Sequence, residues 1–184
     1  MKKLDIVALC GSLRKNSLNL MALNLAREAL AEHADVELLQ WRHLPPLDAD
    51  LMASGLPGEV LELADRIAAA DGIVIASPEY NFSIPGMFKN AIDWLSRCER
   101  QPFSGKPVAI LSASPGFLGG ARMQYDLRKV LLYVNADTLV KPEVFIGGAN
   151  AKFDEQGRCT DEATQKNVRA QMEALVASIA AARR

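Results

Sequence analysis

LDIVALCGSLRKNSLNLMALNLAREAL, residues 4–30, is the stretch that decides the fold. Its first seven residues, Leu4 to Cys10, form a nearly continuous apolar run of strand length that stops at Gly11-Ser12. A run of that kind suits a strand covered on both faces, as in parallel sheets. Beyond a polar stretch, Leu18, Met21, Ala22, Leu25 and Ala29 recur at helical spacing and predict a helix with one apolar face. Strand, tight polar loop and amphipathic helix, in that order, open a βαβ unit.

The same alternation continues outward from this unit. Val36 to Trp41 reads as a second strand, and the Pro-containing stretch from Arg42 to Gly58 as an irregular surface connection. Glu59 to Ala70 predicts a helix, and Gly72 to Ser77 (GIVIAS) a central strand that ends at Pro78. Phe88 to Arg97 predicts a helix, Pro107 to Ser112 (PVAILS) a fourth strand and Gly120 to Tyr133 another helix. Asp137 to Phe145 supplies a fifth strand around Pro142. The last helix runs from about Asp161 to Ala182, with Val168, Met172, Leu175, Val176 and Ile179 as its apolar stripe. Right-handed crossovers turn this series into an α/β doubly wound, five-stranded parallel sheet of order 2-1-3-4-5 with helices on both faces. At 184 residues the expectation is one domain over residues 1–184.

Composition narrows the partners. A net charge of −1, with 49% hydrophobic and 23% charged residues, gives no electrostatic case for nucleic acid or an anionic membrane. The apolar runs are far shorter than the roughly 20 residues of a membrane span, and the opening MKKLDIVALCGS lacks the form of a signal peptide. A cytoplasmic protein acting on small molecules or on protein partners is expected. Cys10, Cys98 and Cys159 are far apart and the only histidines are His33 and His43, so neither a disulfide framework nor a metal site is expected. Cys10 reads as a core residue and both histidines as surface residues.

In a doubly wound sheet, ligands sit at the carboxyl ends of strands one and three, where the winding reverses. Three unusual loops converge there. The first, Gly11 to Asn19, leads into a helix N-terminus, whose free N–H groups and partial positive charge attract an anion. Ser12, Ser17 and Asn19 add neutral donors and Arg14 a charged fork. The loop fits neither GxGxxG nor GxxxxGK[ST], which favours a single phosphomonoester over a dinucleotide or triphosphate. Equally open at this point, Ser17 or Asn19 merely caps the helix and Arg14 is solvated. The second loop, Ser77 to Gly86 (SPEYNFSIPG), carries two prolines, Pro78 and Pro85, and the aromatic residues Tyr80 and Phe82, a cradle for a flat ring or an ordinary rigid turn. The third, Ser112 to Gly120 (SASPGFLGG), has glycines that allow close backbone approach, as a flexible turn also would.

These segments, GSLRKNSLN, PEYNFSIPGMFKNAIDW and SASPGFLGGARMQ, resemble the NADPH-dependent FMN reductase family of quinone, chromate and azo-dye reductases, in the same order and over nearly the whole chain. The resemblance implies a flavodoxin-like fold with bound FMN. It assigns the FMN phosphate to Ser12, Arg14, Ser17, Leu18 and Asn19, and the ring and ribityl region to Pro78, Glu79, Tyr80 and Asn81, with Phe82 nearby. Ser112, Ala113, Ser114 and Gly116 correspond to a further ring-contacting turn, in which Pro115 removes one N–H donor. It also implies a homodimer or a dimer of dimers built on the helix with Lys89, Asn90, Asp93 and Trp94. The roles of Lys89, Asp93 and Arg122, whether at the site, at an interface or purely structural, stay open.

Such a protein takes electrons from NAD(P)H, with NADPH the family expectation, and passes them by a ping-pong mechanism to a quinone, chromate, an azo compound or free flavin. The chemistry is carried by the cofactor, so no catalytic residue is assigned. The alternatives are a flavodoxin-like electron carrier, against which the near-neutral charge speaks, and a flavin-free receiver-like domain.

Overall fold

The computed structural model describes residues 3–183. In chain order the elements are β1 (Leu4–Cys10), α1 (Leu18–Leu30), β2 (Ala34–Leu38), α2 (Ala49–Ala53), α3 (Gly58–Ala69), β3 (Gly72–Ala76), α4 (Gly86–Leu95), β4 (Pro107–Ala113), α5 (Ala121–Tyr133), β5 (Asp137–Thr138), β6 (Val144–Ile146) and α6 (Glu162–Ala182). A single 3-10 turn, Ala149–Ala151, follows β6. All pairings in the sheet are parallel, in the order β2-β1-β3-β4-β5, with β6 also on β4. The doubly wound arrangement expected from the alternation is therefore present.

Strand alternation splits the core in two. Val7 and Leu9 of β1, with Ile73 and Ile75 of β3, face α3, α4 and α5. Ile6 and Ala8, with Val74 and Ala76, face α1 and α6. β3 and β4 are buried along their whole length, which is why their sequences are almost purely apolar.

Three details differ from the sequence reading. β2 begins at Ala34 and ends at Leu38, and Trp41 lies beyond it, donating its indole N–H to Cys10 O at 2.9 Å. The buried face of α1 is Asn19, Ala22, Leu23, Ala26 and Leu30, rotated from the expected stripe because the polar Asn19 faces inward. The fifth strand is delivered in two pieces. Pro107 and Val108 pair with Asp137 and Thr138, but Leu111 already pairs with Val144, so residues 139–143 bulge out opposite only two residues of β4. Gln171 of α6 repairs the gap by donating to Ile110 O at 2.8 Å and Pro142 O at 3.0 Å.

The long connection after β2 contains the short helix α2, capped by Asp48, and is tied to α4. Asn90 accepts from Leu47 N at 2.7 Å and donates to Pro45 O at 2.8 Å, and the Trp94 indole donates to the same carbonyl at 2.7 Å. Trp94 is fully buried within the chain. Among the described residues no helix is long and apolar enough to cross a membrane.

Candidate functional site

The three loops meet above the carboxyl ends of β1, β3 and β4. Gly11 lets the first two pass each other: a Cβ there would lie 2.2 Å from Ser77 Oγ, so no other residue fits without movement. Ser17 is the N-cap of α1, its Oγ accepting from Asn19 N at 3.2 Å and Leu20 N at 3.4 Å. The first turn of α1 carries no acid, so its positive end is uncompensated. Ser12 Oγ accepts from Arg14 N at 3.3 Å, and the Arg14 side chain is exposed with no carboxylate partner among the described residues. Cys10, directly below, is buried, and burial pushes its thiol above the ordinary value.

The second loop is a two-residue hairpin. Tyr80 N donates to Ser83 O at 3.0 Å and Ser83 N to Tyr80 O at 2.9 Å, with Asn81 at φ 50° and Phe82 at φ 69°. Two positive φ values in such a turn suit Asn at the first position, whereas a bulky Phe at the second is held against its preference. Glu79 reaches across to α5, where its carboxylate accepts from Arg122 N at 3.1 Å, Met123 N at 3.3 Å and Arg122 Nε at 2.8 Å. It supplies the cap that Gly120, the N-cap residue, cannot. The Arg122 guanidinium in turn lies 3.7 Å from the centroid of the Phe82 ring.

The third loop is stitched to its own surroundings. Ser112 Oγ points inward, donating to Gly119 O at 2.6 Å and accepting from Gln124 Nε2 at 2.7 Å. Ser114 N donates to Ile146 O, and Gly116 N donates to Ser114 Oγ, both at 3.0 Å. Gly119, at φ 59°, runs so close to the Phe145–Gly147 backbone that a Cβ would lie 2.8 Å from it. The glycines thus serve approach between chain segments, and the Gly116 N–H is already engaged.

Between the loops lies a cleft of about 470 Å³. From the expected set it gathers Ser12, Arg14, Ser17, Leu18 and Asn19 of the first loop and helix, Pro78, Glu79 and Tyr80 of the second, and Ala113 and Ser114 of the third. Asn81, Phe82, Ser112 and Gly116 lie outside its lining. The sequence reading missed Asn16, Met21, Asn150, Phe153 and Asp154 as wall residues. The last three follow β6, in a segment without a recognisable motif, yet any loop after the fifth strand of such a sheet emerges at this edge. Asp154 is a paired acid: the backbone N–H and guanidinium of Arg158 hold its carboxyl below the usual range.

The donor set meets the needs of a flavin mononucleotide. An acid-free helix N-terminus, a free guanidinium and hydroxyls at Ser12 and Ser17 suit a phosphate dianion. Pro78, Tyr80, Ala113 and Pro115 supply apolar wall for a flat ring. Among the described residues no group of three or more His, Cys, Asp or Glu is placed to hold a metal ion.

Comparison with known proteins agrees with this chemistry. The family model described as NADPH-dependent FMN reductase matches residues 4–151. An NAD(P)H-dependent FMN reductase of Pseudomonas aeruginosa is 42% identical over 172 residues, covering 94% of this chain and 93% of that protein. A quinone reductase of Escherichia coli is 44% identical over 176 residues, with 94% of each chain covered. Among solved structures, the flavoenzyme NAD(P)H:(acceptor) oxidoreductase FerB from Paracoccus denitrificans superposes with a TM-score of 0.88 at 35% identity, covering 97% of this chain and 98% of that one. A match over most of the length, on a sheet and three loops of the same order, means that the chain belongs to the NADPH-dependent FMN reductase family.

Proposed function

We propose that this protein is an FMN-dependent NAD(P)H oxidoreductase that reduces a small acceptor, a quinone above all, with chromate, azo compounds and free flavin as further acceptors. The observation that carries the proposal is the pairing of an acid-free α1 N-terminus and Arg14, which has no carboxylate partner among the described residues, with a cleft at the switch point of the sheet whose wall includes Pro78, Tyr80, Ala113 and Pro115. Relatives at 42% and 44% identity bearing the names FMN reductase and quinone reductase support it.

Bound FMN would supply two-electron transfer from NAD(P)H to the acceptor. The chain's own part is binding and orientation. Arg14, Ser12 and the first N–H groups of α1 hold the phosphate end, and Pro78, Tyr80, Ala113 and Ser114 line the ring end. Glu79 fixes the second loop by anchoring it to α5. Donor and acceptor use one open side of the cleft in turn, which gives ping-pong kinetics. The protein works as a single domain in the cytoplasm, as a homodimer or dimer of dimers. Exposed Tyr80, Phe82 and Met87, beside the cleft and on α4, support a subunit interface there.

The test is anaerobic addition of NADPH to FMN-loaded protein, followed by a benzoquinone. Bleaching of the flavin band and its return with quinone is the expected result. A flavin that stays oxidised until a partner protein is added marks an electron carrier and refutes the enzyme.

A further inference from the structure

Behind the loop that joins β1 to α1 lies a second cleft of about 110 Å³, sharing Ser12 and Arg14 with the first. Its remaining polar wall is Lys15, Gln40 and Arg42, and no acid lines it. Arg14, Lys15 and Arg42 have no carboxylate partner among the described residues. The segment after β2 is held in place here: the Trp41 indole is bonded to Cys10 O, and Arg42 Nη2 donates to Leu13 O at 3.3 Å. Two chain segments that are distant in sequence thus bring three cations around one small space. All three side chains are exposed, and a dianion bound in this space would meet positive charge from both segments.

Size and position select the anion. The space is large enough for a phosphate group, and its polar wall offers three cationic side chains to one. Because the two clefts share a wall, the anion belongs to a molecule whose other end reaches the first cleft. NADPH is such a molecule, and it differs from NADH by one phosphomonoester of about −1.5 to −2 charge. We propose that Lys15 and Arg42, beside Arg14, form the subsite that reads the 2′-phosphate of NADPH; the inference rests on the reductase reading above. Arg14 then stands between two anions, facing the cofactor phosphate on one side and the nucleotide phosphate on the other.

The experiment compares steady-state kinetics of FMN-loaded wild type, Lys15→Gln, Arg42→Gln, Arg42→Lys and the double glutamine variant with NADPH and with NADH. The double variant is expected to raise KM for NADPH about tenfold or more, from lost charge-assisted hydrogen bonds, with KM for NADH moving less than about twofold. Arg42→Lys keeps the charge and retains most of the NADPH affinity. Calorimetric titration of the FMN-loaded proteins gives a readout without turnover: 2′-AMP binds wild type more tightly than 5′-AMP, and the double variant loses that preference. Because Arg42 also holds Leu13, the FMN dissociation constant is measured for every variant, and Lys15→Gln decides where Arg42→Gln disturbs it. Equal changes for both nucleotides, no change for either, or 2′-AMP binding no tighter than 5′-AMP overturns the subsite. A wild-type flavin that neither nucleotide bleaches overturns the reductase reading and the subsite with it.

Discussion

Asn19, the second residue of α1, and Ala113, the last residue of β4, form a closed amide pair: Asn19 Nδ2 donates to Ala113 O and Ala113 N donates to Asn19 Oδ1, each at 2.9 Å. Both residues are buried. The pair fastens the start of α1 to the strand end that carries the third loop. It thereby fixes the distance between the two ends of the cleft.

Replacing Asn19 with Ala leaves a buried N–H and a buried C=O without partners. Each orphaned group costs about 1–3 kcal/mol, so a loss of about 3 kcal/mol is expected, with Tm falling by roughly 6–12 °C. FMN affinity falls as well, because the helix N-terminus is no longer held against β4. Denaturant unfolding of the apoprotein and fluorescence titration with FMN check both; a variant as stable as wild type removes the clip.

The sheet was legible in the sequence because β3, β4 and most of β1 are buried on both faces and so read as nearly continuous apolar runs. The site was legible only as loops. Ser17 and Asn19 could be read as ligands or as structural residues, and the structure gives Ser17 a cap and Asn19 a clip, neither of which removes it from the cleft wall. The inward turn of Asn19 also explains the misplaced face of α1, since hydrophobic periodicity has no term for a buried amide with a distant partner. Glu79 posed the same difficulty: a carboxylate that caps a helix 43 positions away leaves no local pattern. Pro142 marked an irregularity in the fifth strand, but the extra residues opposite β4 are a matter of register, which no single-strand pattern contains.

Arg14 is exposed, and its guanidinium has no carboxylate partner among the described residues. Substitution by Ala is therefore expected to leave the apoprotein Tm unchanged while the FMN dissociation constant rises about 10- to 100-fold, as for one lost charge-assisted hydrogen bond. The phosphate is the proposed partner, so riboflavin affinity does not change. A Kd for FMN equal to that of wild type takes Arg14 out of the site.

Asp71, at the opposite edge of the sheet, gives the fold a pH dependence. Burial pushes its carboxyl up, but the Asp5 N–H at 2.8 Å, the Arg183 guanidinium and the charge of Lys106 together outweigh it, and the net shift is below the ordinary value of 3.8. A depressed carboxyl stabilises the fold fully above its unfolded value and loses that contribution as pH falls through the folded one. Asp71→Asn is thus expected to cost about 1 kcal/mol at pH 7, most of it the charge pairing, and progressively less below pH 4. Stability curves of the two proteins that stay parallel from pH 7 to pH 3 contradict the assignment.

Phe82 holds a positive φ in a turn that Asn-Gly would adopt freely, and the residue remains 65% exposed although Arg122 lies over its ring. The left-handed conformation costs a non-glycine residue about 1–2 kcal/mol, and an exposed cation–π contact returns only about 0.5–1 kcal/mol. Phe82→Gly is therefore expected to stabilise the apoprotein by up to about 1 kcal/mol, a rise in Tm of roughly 2–4 °C. An exposed ring kept at a net cost to the free chain implies a gain elsewhere, and we propose that the gain comes from a flavin bound in the neighbouring cleft, whose wall in the free chain does not include Phe82. FMN binding should accordingly weaken about two- to tenfold in the same variant, the range of one lost aromatic contact. Stability that rises while FMN affinity stays the same would leave Phe82 outside the cofactor site.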